Sequence, residues 1–404
     1  MRTLIVNSMF ASAAYRRCAD ELGAIPGMDL SMLTVKEWRM NGLPMPFDAL
    51  SPNAPYATVM GKAAWQGYEN RGFYTSGLLR AFRISRPEVL FLMEEPFSIF
   101  AAEILFAKSI LAPGIPVVFF TWNNLSLTTF DYRPSFFYRT IARQTLPRMH
   151  YGLTANSDGI EVLRKTGFTK PIQTVGYGVD TAAFQSRNRD RAQEIRQALE
   201  IGADEIVISY IGRLLAMKGV DLLIEGFAQL KTQRPGQRMK LLLVGSGEAE
   251  QEVMRLAQAR GIADDIRHVP SVPQRDIPDY MHVLDILVLP SRRHRMWAEQ
   301  FGRVLVEAMA AGKIVIGSSS GAIPEVIGDG GFIFPENDFT ALAASLAQAI
   351  SLSPNDRAGL LERSRMRAEY FSWQRFARDA FGAISHCHAA VSSHAKKKEL
   401  GVMA

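Results

Sequence analysis

The sequence has little cysteine, no dominant charge and no long hydrophobic run. Only Cys18 and Cys387 occur among 404 residues, too few and too far apart for a disulfide framework or a cysteine-rich metal site. Lys and Arg exceed Asp and Glu by 46 − 40 = 6, which permits an anionic partner without requiring one. Hydrophobic residues make up 48% of the chain and charged residues 21%, which excludes wholesale disorder, collagen and coiled coil.

No apolar segment is long enough to cross a membrane as a helix. Two charged residues and two prolines interrupt the longest apolar region, 96–122, which therefore falls short of roughly 18 uninterrupted apolar residues. The apolar run at the N-terminus is also short, and Asn7 and Ser8 interrupt it. This pattern indicates a β-strand rather than a signal peptide, so we expect a cytoplasmic protein.

Short apolar runs alternate with helical stretches along the whole chain. The runs are rich in β-branched residues with no polar alternation, which is typical of parallel strands buried on both faces. Strand–helix alternation at this spacing indicates doubly wound parallel sheets, and a dozen strands predict two Rossmann-like domains. The predicted strands cover residues 3–7, 29–34, 89–93, 117–121, 151–155, 172–175, 206–211, 240–244, 266–270, 286–290, 314–317 and 331–334.

Glycine-rich punctuation after the sixth predicted strand marks the expected domain boundary. We expect an N-terminal domain over residues 1–178 and a C-terminal domain over residues 179–371. A last helix over 372–390 and a flexible tail over 391–404 complete the chain. The tail contains a run of three lysines, which is typical of a solvated terminus.

Two cations follow the predicted strand 206–211. Gly212 ends this strand, and Arg213 and Lys218 lie five residues apart on the loop before the next helix. Loops at the carboxyl edge of parallel strands are where α/β sheets bind ligands. An arginine fork with a lysine point charge suits a phosphate or diphosphate. Taken alone, a solvated basic loop explains the same residues equally well.

Glycines mark two more loops that follow predicted strands. Gly245 and Gly247 form a Gly-x-Gly turn after strand 240–244, where the backbone can approach a ligand closely. This signal is weak alone, because many strand-to-helix turns have it. After strand 286–290, Gly302 is expected to begin a helix and Gly312 to end it.

Two carboxylates accompany the start of that helix. Glu299 precedes the helix, and Glu307 lies more than one turn inside it. A carboxylate accepts two hydrogen bonds from a diol, which suits sugar hydroxyls, whereas a surface charge near a helix start needs no ligand. Free amides near Phe301, Gly302 and Val304 would point at an anion.

Together, these elements resemble the donor-binding half of retaining nucleotide-sugar glycosyltransferases with the GT-B fold. This is the glycosyltransferase family 4-like group marked by a Glu-x7-Glu motif, and the matching region is 206–371. The resemblance implies an α/β GT-B fold in which two Rossmann-like, doubly wound parallel-sheet domains face a central cleft. The N-terminal domain would bind the acceptor and the C-terminal domain the nucleotide-sugar. The last helix would cross back to the N-terminal domain.

The resemblance also implies roles for the matched residues. Arg213 and Lys218 would hold the donor diphosphate and stabilise its charge as it leaves, which a divalent metal does in other transferases. No metal or other cofactor is therefore expected. Glu299 would contact the transferred sugar as the third catalytic residue, and Glu307 would hold the ribose hydroxyls. The other expected donor-binding residues are Gly212, Gly245, Gly247, Val272, Phe301, Gly302 and Val304.

The N-terminal half resembles the family more loosely and departs from its pattern in two places. The turn after the first strand, 7–12, lacks the Gly-Gly pair that many members have. The segment 122–124 reads Trp-Asn-Asn where many members carry a histidine. A core or capping role would explain the polar residues of this half equally well. The acceptor-side candidates are Asn123, Asn124, Glu94 and Glu95.

The resemblance implies a retaining hexosyltransferase that uses a UDP-, GDP- or ADP-sugar and a sugar or lipid-linked acceptor. Cell-surface polysaccharide, such as exopolysaccharide, or glycolipid biosynthesis is the expected setting. A catalytically silent nucleotide-sugar-binding protein and a sucrose- or phosphorylase-type enzyme on the same fold are the alternatives. No nucleic-acid-binding motif occurs. The donor sugar, its base, the acceptor and the oligomeric state stay open.

The basic excess lies in the N-terminal half. Residues 1–178 contain 18 Lys and Arg against 13 Asp and Glu, a net of +5, whereas the remainder has 28 against 27, a net of +1. A predicted helix near 134–148 carries Arg139 and Arg143 four residues apart with apolar bulk beside them. It could rest on an anionic membrane surface, as a peripheral protein on the inner face does, or pack with an arginine-rich solvent face.

Overall fold

The computed structural model describes residues 1–40, 43–67, 70–125, 127, 135–186, 189–295 and 297–402. Strands in these ranges are β1 (Arg2–Val6), β2 (Asp29–Val35), β3 (Glu37–Met40), β4 (Leu43–Pro46), β5 (Tyr56–Ala64), β6 (Phe73–Ser76), β7 (Val89–Leu92), β8 (Val117–Thr121), β9 (Tyr151–Thr154), β10 (Ile172–Thr174), β11 (Ile206–Ile211), β12 (Met239–Val244), β13 (Ile266–Val269), β14 (Ile286–Leu289), β15 (Ile314–Ser318) and β16 (Phe332–Phe334).

Helices follow most of these strands. They are α1 (Ala13–Gly23), α2 (Leu78–Ser85), α3 (Ile99–Leu111), α4 (Ser135–Thr145), α5 (Ser157–Lys165), α6 (Thr181–Gln185), α7 (Arg189–Ala198), α8 (Val220–Gln233), α9 (Glu250–Ala259), α10 (Ile277–Val283), α11 (Arg303–Ala310), α12 (Ile323–Ile327), α13 (Phe339–Ile350), α14 (Pro354–Tyr370) and α15 (Trp373–Val402). None of the helices in the described ranges is long and apolar enough to span a membrane.

The chain divides into two compact units. The first comprises Met1–Gly178 and Trp373–Ala404, and the second comprises Val179–Ser372. Gly178 is the last residue of the first unit before the chain leaves it. The chain re-enters this unit at Trp373. A Cβ atom at position 178 would lie 2.0 Å from the Trp373 ring, so only glycine fits there.

The first unit is built on an eight-stranded sheet in the order β10-β9-β8-β7-β1-β2-β5-β6. All neighbouring pairs are parallel except β5 and β6. Alternate residues of a strand point to opposite faces. Leu4 and Val6 of β1 share a core with α2, α3 and α4. The long helix α15 packs against α1 and against strands β7 to β9.

The second unit contains a fully parallel six-stranded sheet in the order β13-β12-β11-β14-β15-β16. Strands β11 and β14 occupy its centre, and their side chains are almost entirely buried. The carboxyl ends of β11 to β14 lie at one edge because the strands are parallel. The loops that follow them therefore meet there, which is the usual ligand position in such a sheet.

The strand predictions are confirmed. All twelve predicted strands form within one residue at each end, because continuous apolar runs buried on both faces leave a clear signal. Four further strands, β3 to β6, lack that signal. The β3–β4 hairpin contains two prolines, and β5 carries Gly61 and Lys62 before the antiparallel edge strand β6.

The last helix is longer than the sequence predicts and extends into the tail predicted for 391–404. Helix α15 continues to Val402, well past the predicted helix end at residue 390. Between residues 391 and 400 the chain has no proline and no glycine, and it contains Ala, Lys, Glu and Leu, which are favourable helix formers. Residues 403 and 404 lie outside the described ranges.

Candidate functional site

A cavity of about 410 Å³ lies at the carboxyl edge of the second unit's sheet. Its volume falls within the roughly 300–1,000 Å³ of small-molecule sites. Four loops and the first turn of α11 form its wall. The lining residues are Tyr210, Ile211, Gly212, Arg213, Lys218, Val244, Gly245, Ser271, Val272, Gln274, Ile277, Leu289, Glu299, Gly302, Arg303, Val304 and Glu307.

Two loops of this wall pack backbone against backbone. A Cβ atom on Gly245 would lie 1.9 Å from the Gly212 carbonyl oxygen, and one on Gly247 would lie 2.1 Å from the Leu214 carbonyl oxygen. The Leu214 N–H also donates to the Ser246 carbonyl at 3.0 Å. Glycine is required at these close approaches, which hold the Arg213 loop against the loop after β12.

Lys218 contacts two neighbouring groups, Glu299 and Trp297. Its Nζ atom lies 2.7 Å from Glu299 Oε2, and the Ser291 hydroxyl donates to the same oxygen at 2.8 Å. The Lys218 ammonium also lies 4.4 Å from the centre of the Trp297 ring, within the range of a cation–π contact. The ammonium is therefore fixed at the cavity wall.

Arg213 is positioned through its backbone. The Tyr210 hydroxyl donates to the Arg213 carbonyl oxygen at 2.7 Å. Burial, and then the charge of Glu299, raise the pKa of Tyr210, so this hydroxyl keeps its proton as a donor. In the part of the chain that the structure describes, no carboxylate forms an ion pair with Arg213. Its guanidinium is available to an anionic ligand.

Glu307 is buried inside α11 at the cavity wall. Arg303, one turn earlier on the helix, lies 3.1 Å from Glu307 Oε1, and the Gln274 amide reaches the same oxygen at 3.5 Å. Burial raises the pKa of the Glu307 carboxyl above its usual value of 4.5, and the opposing effect of Arg303 is smaller. Both partners bind Oε1, so Oε2 is in a position to accept a hydrogen bond from a ligand.

The start of α11 adds a positive backbone terminus. Gly302 precedes the helix with a φ of +79°, a conformation that favours glycine. Gly302, Arg303 and Val304 line the cavity, and the first N–H groups of a helix have no acceptor within it. These amides and the helix dipole favour an anion at this point.

The structure brings most of the predicted donor-site residues into one cavity. Arg213, Lys218 and Glu299 line it, as do the residues Gly212, Gly245, Val272, Gly302, Val304 and Glu307. Two predicted residues are not among the lining. Gly247 packs under Leu214, and the Phe301 ring packs against Phe371 at 5.1 Å.

Several lining residues have no counterpart in the sequence-based prediction. Tyr210, Ser271, Gln274 and Arg303 all contribute to the wall. Arg303 has a detectable signal, because it lies four residues before Glu307 and would share its helix face. Gln274 has none, since its loop follows a different strand and meets Glu307 only in three dimensions.

Two of the acceptor-side candidates in the first unit stabilise loops. Glu95 accepts hydrogen bonds from the Thr121 hydroxyl and from the Trp122 N–H, the latter at 2.9 Å. The Asn123 side chain bonds both backbone groups of Leu125, at 2.9 and 3.1 Å. These contacts match the core and capping roles that the residue types also indicate.

The other two candidates, Glu94 and Asn124, are also buried. Glu94 Oε1 accepts from the Ser8 N–H at 2.6 Å, so it supports the turn after β1 directly. Asn7 caps the next amide, that of Met9, at 2.6 Å. The segment that lacks the family's Gly-Gly pair thus forms a short 3₁₀ helix, Ser8–Ala11, whose first amides bind side chains of the same unit.

The second unit is similar in sequence to known glycosyltransferases. Residues 191–367, which lie wholly within the second unit, match the family model of Glycosyl transferases group 1. A D-inositol 3-phosphate glycosyltransferase of Saccharomonospora viridis is 33% identical over 213 residues, covering 50% of this chain and 47% of the relative. One from Jonesia denitrificans is 27% identical over 265 residues, covering 63% and 61%. The chain thus spans about half the length of these curated relatives, and the matches support this family for the second unit.

Solved structures resemble the chain over nearly its whole length. A glycosyltransferase from Rickettsia africae has a TM-score of 0.71 at 14% identity, covering 95% of this chain and 98% of that one. Anabaena HepE in complex with UDP has a TM-score of 0.70 at 16% identity, covering 96% and 100%. Identity this low establishes the fold alone. The predicted α/β fold with two Rossmann-like parallel-sheet domains, that of GT-B glycosyltransferases, is confirmed.

Replacing Glu307 with glutamine is expected to raise the free energy of unfolding at neutral pH. A raised pKa in the folded state means that the stability contributed by the neutral carboxyl is present at acid pH and lost as pH rises through the folded pKa. The two proteins should therefore have similar stability near pH 4 and diverge above it. Urea denaturation across this pH range measures the difference.

Glu248→Gln is the matched control because Glu248 is exposed in the same unit. It should change stability by the same small amount at every pH. A Glu307→Gln protein that is less stable than the wild type at neutral pH would contradict the expectation, because the Arg303 ion pair would then outweigh the cost of burying the charge.

Proposed function

We propose that this chain is a retaining glycosyltransferase that transfers a sugar from a UDP-, GDP- or ADP-sugar without a metal ion. One observation carries the proposal: Arg213, Lys218, the start of α11 and the buried Glu307 line a single cavity. Two cations and helix amides suit the diphosphate of the donor. A buried carboxylate suits the ribose diol, because it accepts from both hydroxyls.

The proposed chemistry needs the charge that this cavity provides. The acceptor oxygen bonds to the anomeric carbon on the face from which the diphosphate leaves. The leaving phosphate oxygen takes the acceptor proton. Because the new bond forms on the face from which the diphosphate departs, the configuration is retained. Arg213 and Lys218 stabilise the negative charge that grows on the diphosphate, in positions fixed before the reaction. Their charge supports a reaction that needs no divalent cation.

Glu299 has two parts in this proposal. Its Oε2 atom holds Lys218 and Ser291, so the carboxylate orients the ammonium. Its side chain also lines the cavity, where it would accept a hydroxyl of the transferred sugar. Because Glu299 also contacts Lys218, one ligand can reach Glu299 with its sugar and Lys218 with its diphosphate.

We further propose a sugar or lipid-linked acceptor that binds the first unit, in cell-surface polysaccharide or glycolipid biosynthesis on the cytoplasmic face of a membrane. The first 178 residues carry the basic excess of +5, which favours an anionic acceptor or surface. The names of the relatives specify a phosphorylated acceptor, and this supports the same chemistry. The acceptor-side candidates, on the loops that follow β7 and β8 at the carboxyl edge of that sheet, are Glu94, Glu95, Asn123 and Asn124.

Donor turnover tests the proposal without knowledge of the acceptor. The purified chain is incubated with UDP-, GDP- and ADP-sugars in EDTA, and nucleoside diphosphate release is measured. We expect release from the donors of one base, and the freed sugar should keep its anomeric configuration in an early NMR spectrum. Binding without any turnover would favour the silent nucleotide-sugar-binding protein. Release that requires a divalent metal would contradict metal independence.

Trp297 is expected to act as a positioning residue for Lys218. Its ring lies under the ammonium. Two backbone hydrogen bonds between Trp297 and His294 close the turn that carries it. Nearby, the Arg292 Nη2 atom donates to both carboxylate oxygens of Asp221. Trp297→Leu should lower kcat/KM for the donor about tenfold, since a cation–π contact of this kind contributes about 0.5–2 kcal/mol. Steady-state kinetics of donor turnover measures the loss.

The Trp297→Phe variant separates positioning from packing. Phenylalanine keeps an aromatic face of the same sign, so it should recover most of the activity that leucine loses. The loss should also appear in kcat rather than in KM alone, because Lys218 acts mainly in the transition state. Equal damage by both substitutions would show that the ring serves only to fill space.

A further inference from the structure

Helices α2, α3 and α4 form one layer on the sheet of the first unit. Helix α3 packs against both α2 and α4. Their inner side chains, such as Phe82, Ile104 and Ala142, join the same core as strands β1, β7 and β8. The three helices therefore present their opposite faces outward together, as one surface that we call the three-helix face.

The three-helix face is unusually apolar for an exposed surface. In the described part of the chain, seven of the eleven exposed large hydrophobic side chains lie on it. Phe136 is 77% exposed, Ile110 64% and Phe106 63%. Phe106 and Ile110 are four residues apart, so they form one stripe along α3. The others are Leu79, Ile84, Leu111 and Phe137.

Exposed arginines are interspersed with these apolar side chains. Arg80 and Arg83 lie on α2, and Arg139 and Arg143 lie on α4. The one acidic residue of the three helices is Glu103. It is half-buried and accepts a hydrogen bond from the Tyr74 N–H at 2.8 Å. The outward charge of the three-helix face is therefore positive.

This combination argues against a second copy of the chain as the occupant. A symmetric dimer places the same patch of each copy against the other. Eight arginines would then meet across the contact with no exposed acid from these helices between them. The centre of a protein interface is usually depleted in charge, which the interspersed arginines do not allow here.

We propose that the three-helix face docks on an anionic phospholipid bilayer. Apolar side chains of the three helices enter the boundary between head groups and acyl chains, as those of interfacial helices do. The four arginines meet the lipid phosphates, whose negative surface potential attracts basic groups. This surface belongs to the first unit and makes no use of the donor cavity. The inference rests on the membrane setting of the proposed function and assigns the residues that would meet the bilayer.

Vesicle sedimentation with the full chain tests the proposal. The probes are phosphatidylcholine vesicles with and without phosphatidylglycerol. We expect binding to the vesicles that contain phosphatidylglycerol, and a decrease as salt is raised. The double variant Phe106→Ser/Phe136→Ser should lower the partition coefficient about tenfold or more, because both rings enter the bilayer boundary. Arg139→Gln/Arg143→Gln should remove the preference for the anionic lipid.

Phe339→Ser/Met366→Ser is the matched control, since both residues are exposed apolar residues of the second unit. It should bind vesicles as the wild type does, and all variants should bind nucleotide equally. Equal binding to both vesicle types, or wild-type binding by the Phe106/Phe136 variant, would overturn the proposal. Light scattering that shows a dimer dissociated by Phe136→Ser would assign the face to self-association instead.

Discussion

Lys218→Ala is expected to lower kcat for sugar transfer by about 10²–10³-fold, the usual loss when a preorganised group that stabilises transition-state charge is removed. The ammonium meets the diphosphate most strongly as its charge grows, so the loss should fall mainly on kcat. Steady-state kinetics at saturating donor measures it. Lys62→Ala, a lysine of the first unit at an exposed position, should have wild-type kcat.

The same substitution also affects stability, and a second variant separates the two effects. Lys218 and Glu299 are only 16% and 10% exposed, so removing the ammonium leaves a largely buried carboxylate without its ion pair. Lys218→Ala/Glu299→Gln should recover the free energy of unfolding but not kcat. Wild-type turnover by Lys218→Ala would contradict the proposed diphosphate contact.

Gly245→Ala is expected to lower the free energy of unfolding by about 4 kcal/mol or more, in the range that single substitutions reach only through a severe clash. Its φ is +140°, and the added Cβ atom would lie 1.9 Å from the Gly212 carbonyl oxygen. The obstacle is backbone, so the Arg213 loop itself would have to move. Urea denaturation measures the loss, and donor binding should disappear with it.

Gly261→Ala is the matched control because its φ is +70° but nothing lies within 4 Å of the added atom. It should cost about 1–2 kcal/mol, the strain of a left-handed residue alone. The difference between the two variants then measures the close approach of the loops. If Gly245→Ala destabilises no more than Gly261→Ala, the two loops do not pack as described.

The predictability of this fold follows from how its strands are buried. Strands such as β11 and β14 are continuous apolar runs with helices on both sides, so the sequence predicts them to within one residue. The strands β3 to β6 lie in a hairpin and at an antiparallel edge, where proline, glycine and lysine weaken the apolar pattern. Helix α15 continues past residue 390 because nothing in its sequence ends it.

Part of the candidate site is likewise predictable from the sequence, and part is not. Arg213, Lys218 and Glu307 follow predicted strands or lie near a helix start, so parallel topology alone brings them to one edge. The contacts of Trp297 with Lys218 and of Gln274 with Glu307 join loops from different strands. Such pairings depend on loop conformation, which has no periodic signal in the sequence.

The acceptor side is harder to predict from the sequence for a chemical reason. Polar side chains that cap turns and those that bind hydroxyls offer the same donor and acceptor atoms. The structure shows that Glu95, in the loop after β7, accepts from the Trp122 N–H in the loop after β8. Asn123 bonds the Leu125 backbone of its own loop, and Glu94 supports the turn after β1. A sequence pattern alone does not distinguish these uses.

Calorimetric titration of the purified chain with UDP, GDP and ADP in EDTA tests the central claim most directly. We expect one of the three nucleoside diphosphates to bind without a metal ion. Arg213→Ala and Glu307→Ala should each weaken this binding about tenfold or more, because each removes a charged hydrogen-bonding group from the cavity. No binding of any nucleotide, or unchanged affinity in both variants, would contradict a nucleotide-sugar site in the second unit.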